Sequence, residues 1–209
     1  METDGKTRMS LAAMSELDLM LTREFDAETI RSELGKYLRV KKPTILFLKS
    51  AEPPIILRLL GDVPAWLPLT AAAGVYLSTL AKRAADATWG RLASRFSNDQ
   101  VRPLIHTVRT LEKAANSVGG NVTLLVGLNI PDEDDGTVLS IGPGDPKEME
   151  RMLATFVVRA KQISKAMQAE VESGRQPFGG ARIELQDNGS LLISWVTADF
   201  HHHELMIPK

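Results

Sequence analysis

The chain is predicted to fold as an α+β protein, with a mostly antiparallel sheet packed by three to four helices, on three observations. Short β-rich runs are joined by compact turns, and long stretches repeat their apolar residues at helical spacing. Strands and helices also fail to alternate strictly, as a purely parallel sheet requires. The expected order is β-α-β-β-α-α-β-β-α-β-β.

Residues 1–15 lack periodicity and read as a disordered lead-in. Order is expected from residue 16, where Leu17, Leu19 and Leu21 alternate with Asp18, Met20 and Thr22 as on a strand with one buried face. Asp26 is placed to cap a helix carrying Ile30, Leu34 and Leu38 on one side. Pro43 ends that region, and strands are expected over 44–49 and 55–60.

Val63 to Ala81 then runs 19 residues without a charge. That length meets the criterion for a bilayer span, but Pro64, Pro68 and the small or polar residues Thr70, Gly74, Ser78 and Thr79 argue against an integral one. Helical periodicity starts at Leu69 and gives a helix over about 69–96, with Ala73, Tyr76, Leu77, Leu80 and Ala84 on the Leu69 face. Its plainest assignment is a central core helix; packing against a copy of itself and lying on a membrane are the alternatives.

A third helix carries Val101, Leu104, Ile105, Val108, Leu111, Ala115 and Val118, and ends at Gly119-Gly120, where a left-handed residue is needed. Strands are expected over 121–130 and 137–141. Asp145-Pro146-Lys147-Glu148 has the form of a helix start, and Met149, Met152, Leu153, Phe156, Ala160, Ile163, Met167 and Val171 mark the inward face of the helix that follows. The tail reads as a hairpin over 181–197 turning at Asn188-Gly189, and a last run over 200–207 either extends it or forms a separate edge. The unit of one helix and two strands recurs three times without residue-level identity, so the recurrence is read as coincidence. A single domain over 16–209 is expected, with two halves split near residue 97 as the alternative.

Composition excludes several functions. Twenty-five Lys and Arg balance 26 Asp and Glu, so no global field draws the chain to nucleic acid, and none is expected as a partner. The absence of cysteine excludes disulfides, thiolate catalysis and Cys-ligated zinc. The first ten residues do not resemble a secretory signal, which makes the cytoplasm the expected location. No nucleotide loop, metalloprotease helix or serine elbow is present, so a catalytic role is not favoured.

Four features carry candidate chemistry. On a continuous strand Asp199, His201 and His203 would project together, the imidazole-bearing Cα atoms about 7 Å apart, and such a set could hold a divalent metal such as zinc. The opposing reading is an exposed histidine edge, with no cofactor. The acidic run Asp132-Glu133-Asp134-Asp135 misses the calcium-loop register and reads as a solvated hairpin loop. Arg102, His106, Arg109 and Lys113 align along the third helix, either to meet phosphates or as an ordinary solvated flank, the latter being favoured. Trp66, between two prolines in a loop before the long helix, is the expected exposed aromatic, and Trp195 an expected core anchor.

The function these residues favour is a non-enzymatic module that binds another protein or its own copy. Trp66, Ala73, Gly74 and Leu77 are its candidate contact residues. The alternatives are a metal-dependent enzyme or a metal or pH sensor built on the His-x-His strand, and peripheral membrane association through 63–81.

Overall fold

In the computed structural model the described residues are 15–22, 24–47, 54–85, 98–119, 122–130, 136–142 and 145–209. They form β1 (Asp18–Leu21), α1 (Ala27–Leu34), β2 (Thr44–Ile45), β3 (Ile55–Gly61), α2 (Val63–Ala85), α3 (Asn98–Ser117), β4 (Val122–Leu128), β5 (Thr137–Ile141), α4 (Pro146–Glu172), β6 (Ala181–Leu185), β7 (Leu191–Val196) and β8 (His202–Ile207). The α+β class is as expected. The final run is a strand of its own, so the order gains one strand at its end.

The eight strands form one sheet in the order β2-β1-β3-β4-β5-β6-β7-β8. That sheet is mixed, which corrects the expectation of a mostly antiparallel one. β1–β2, β3–β4 and β5–β6 pair parallel, while β1–β3, β4–β5, β6–β7 and β7–β8 pair antiparallel. The rule behind the mixture is simple. Every parallel pair brackets a helical connection, α1, α2 with α3, or α4, because a helix crossing one sheet face returns the chain in its original direction. Pairing of β3 with β4 carries the sheet across from the segment before residue 97 to the segment after it.

Alternate residues of each strand enter one hydrophobic core with the helices. Leu57 and Leu59 of β3, Leu124 and Val126 of β4, Leu139 and Ile141 of β5, and Ile193 and Trp195 of β7 are buried there with Leu104, Val108, Leu153 and Phe156. Their sheet neighbours on the opposite face are less covered, as with Met20, Leu125 and Ser140 in register across β1, β4 and β5. Trp195 is the anchor expected of it, 4% exposed and donating its indole N–H to the Arg175 carbonyl at 2.9 Å.

Local chemistry sets the boundaries. Asp26 caps α1 by accepting from the Thr29 N–H at 3.2 Å, and Asp145 caps α4 through the Lys147 N–H at 3.0 Å, with Pro146 opening the helix. Gly119 takes φ +58 after α3. The helix expected from residue 69 begins six residues earlier. Asp62 caps it through the Ala65 N–H at 3.2 Å, and Pro64 falls in the first turn, where a missing N–H costs nothing. Pro68 is exposed, so the carbonyl it leaves unbonded can meet water. Residues 86–96 of the expected helix, with Trp89, and the acidic run 132–135 lie outside the described residues.

Candidate functional site

The long helix is one-sided. Its inner face, Ala65, Trp66, Leu69, Ala72 and Ala73, is buried, and α2 packs against α3 and α4. Its outer face presents Pro64, Leu67, Pro68, Ala71, Gly74 and Ser78 to solvent, with Leu67 59% exposed. The inner face joins the hydrophobic core, as a core helix requires, and with 28% of the chargeless window Val63–Ala81 buried an uncharged outer face about five turns long is left.

The four candidate contact residues divide between the two sides. Trp66 is fully buried, which corrects its assignment as an exposed aromatic in a loop. It lies inside α2, its indole N–H donates to the Gly127 carbonyl at 3.1 Å, and its ring meets Phe156 edge-on at 5.3 Å and 86°. Ala73 is also buried, and Leu77 packs partly against the core. Gly74 alone points fully outward, and a Cβ added there would meet nothing within 4 Å. Sequence reading missed Leu67 as a surface residue. Its signal was present in Pro64 and Pro68: two prolines one turn apart in a helix belong on the side where unbonded carbonyls face water.

The outer face continues into a groove of about 770 Å³ at the start of α2, walled by Pro64, Leu67 and Pro68 on one side and by Lys36, Tyr37, Leu38 and Arg39 on the other. The α1 side of that groove carries the exposed cations Lys36 and Arg39 beside Tyr37, and the α2 side is uncharged.

The metal set expected at the end of the chain is not assembled. Phe200 adopts φ +64 and its N–H bonds the Thr197 carbonyl at 2.9 Å, so Thr197 to Phe200 form a turn and strand alternation starts only at His202. Asp199 stays with His201, at 3.5 Å, and the Thr197 hydroxyl donates to its carboxylate, which chiefly holds that carboxyl below its ordinary range. His203 lies on the core side, stacked on Trp195 with centroids 5.5 Å apart at 21°. His202 sits near Glu204, at 4.0 Å. Among the described residues no group of three His, Asp or Glu is placed to hold a metal ion. The divalent-metal reading of Asp199, His201 and His203 is corrected accordingly.

In comparisons with known proteins, no family model matches this chain, and no curated protein or solved structure is detectably similar to it.

The basic ladder of α3 has a more specific setting than a solvated flank. His106, Arg109 and Lys113 line a groove of about 560 Å³ whose other wall is α1, with Asp26, Thr29, Ile30 and Glu33. The His106 Nε2–H donates to the Glu33 carbonyl at 3.0 Å, and the imidazole meets Tyr37 edge-on at 5.2 Å. Both Glu33 carboxylate oxygens accept from Lys36 Nζ at 2.7 Å, and this bond, more than His106 or Lys113, lowers the Glu33 pKa. Asp26 is held low in the same way by Thr29, as befits a helix cap.

Proposed function

We propose that this protein is a non-enzymatic binding module that docks a second copy of itself through the outer face of α2. The observation that carries the reading is the exposure of that face, uncharged from Val63 to Ala81 and continuous with the groove beside Tyr37 and Leu38. A bare helix surface of this kind gains by covering its apolar residues, and the small side chains at Ala71, Gly74 and Ser78 let a second helix approach closely. Between Val63 and Ala81 the helix carries no charge of its own to be desolvated when two copies meet.

Sedimentation velocity over a range of concentrations tests this. The wild-type chain is expected to form a dimer, and Gly74→Arg, which adds a charge at a position with open space around it, is expected to remain monomeric with an unchanged unfolding transition. A wild-type chain that is monomeric throughout, or a Gly74→Arg variant that dimerises equally well, refutes the proposal.

The length of the uncharged window also supports a second reading, in which the same face lies on a membrane surface. Liposome flotation separates the two. Protein that floats with vesicles in the wild type, and stays at the bottom as Gly74→Arg, favours lipid over a second copy.

A further inference from the structure

We infer that the groove between α1 and α3 binds a small phosphorylated metabolite, its phosphate held between Arg109 and Lys113 and its hydroxyl-bearing body lying along the cleft floor. The site is separate from the docking face of α2. Arg109 and Lys113 are four residues apart, so their side chains neighbour each other on one face of α3 and can reach a single phosphate. Neither makes an ion pair within 4 Å among the described residues, and both are exposed to an incoming ligand.

The carboxylates in the same cleft are already engaged. Asp26 accepts the Thr29 N–H as the cap of α1, and Glu33 holds Lys36 through both oxygens. Glu33 is the acid that faces Lys113, and both its oxygens are bonded to Lys36. Among the described residues Arg109 and Lys113 are thus two cations with no ion-pair partner of their own within 4 Å, and a phosphomonoester dianion near neutral pH can pair with both.

The remainder of the groove selects the body of the ligand. Its volume of about 560 Å³ suits a small molecule. Ile30 and Ala114 give it an apolar floor. The Thr110 hydroxyl donates to the His106 carbonyl at 2.9 Å and the Ser117 hydroxyl to the Ala114 carbonyl at 2.8 Å, so both present lone pairs rather than protons. A ligand carrying hydroxyl donors beside its phosphate, as a sugar phosphate does, complements that arrangement.

The test is calorimetric titration of the full-length protein with ribose 5-phosphate, inorganic phosphate and ribose. Ribose 5-phosphate is expected to bind saturably and about tenfold or more tighter than either fragment, with affinity falling as salt rises. Arg109→Ala and Lys113→Ala are each expected to weaken binding about tenfold, the value of one charge-assisted contact, whereas Lys161→Ala, which removes a cation from the solvent side of α4, leaves it unchanged. Any of three results overturns the inference: no saturable binding, inorganic phosphate binding as tightly as ribose 5-phosphate, or an Arg109→Ala, Lys113→Ala double variant that binds like the wild type.

Discussion

Trp66 offers the sharpest test of the packing, because sequence and structure assign it opposite environments. On a surface loop its replacement would change stability by no more than about 0.5 kcal/mol. In the structure it is fully buried in α2, bonded to the Gly127 carbonyl and set edge-on to Phe156. Trp66→Ala therefore opens a cavity between α2 and the sheet and is expected to cost about 3–5 kcal/mol. Trp66→Phe keeps most of the ring volume but removes the indole N–H, for an expected cost of about 1–3 kcal/mol from a buried acceptor losing its partner. The assay is urea unfolding followed by far-ultraviolet circular dichroism. A double-mutant cycle with Phe156→Leu should return a coupling of about 0.5–1.5 kcal/mol for the edge-on pair. If both Trp66 variants unfold within about 0.5 kcal/mol of the wild type, the placement of α2 against the sheet is wrong.

Three further outcomes follow from single sites. Gly127→Ala would set a Cβ 2.5 Å from the Thr137 carbonyl oxygen and 2.9 Å from Leu60 and Val138 side-chain carbons, so the sheet must shift. A loss above about 2 kcal/mol is expected in the same urea assay, and a neutral result would contradict the β4–β5 register. Asp145→Ala removes the cap of α4 and should cost about 1 kcal/mol, read as a lowered unfolding midpoint, while Asp145→Asn should restore most of it. Glu170 has its pKa lowered, chiefly by the bond from Arg175. Its contribution is fully present above the unfolded glutamate value of about 4.3 and is lost as pH falls through the lower folded value. Unfolding midpoints measured between neutral and acid pH should fall more steeply for the wild type than for Glu170→Gln, and parallel curves would remove the pair from the account.

Much of the fold was legible because local chemistry and global packing agree over most of the chain. Asp145-Pro146 starts α4 where its capping pattern says, and the apolar stripe from Met149 to Met167 is the buried face of that helix. Strand direction was harder to read. A helix between two strands specifies a parallel neighbour only if the chain returns beside its starting strand, and no property of an individual residue encodes that choice. The start of α2 was hidden by Pro64 and Pro68, which read as loop residues until the cap at Asp62 and the outward orientation of both rings are known. At the carboxyl end the alternation argument failed at one residue. Phe200 takes a left-handed conformation without being glycine, so counting by twos from Asp199 to His203 crosses a turn. The basic ladder was visible in the sequence as a pattern, but the α1 wall that makes it a groove is a tertiary feature.

The central claim is that protein covers the outer face of α2 in solution. The chain has no cysteine, so a thiol introduced by Ala71→Cys is unique and reports on that face alone. Its rate of maleimide modification, measured against a Lys161→Cys control on the solvent side of α4, should be slower and should fall further as protein concentration rises. Equal rates for the two thiols at every concentration would show the face to be bare and contradict the account.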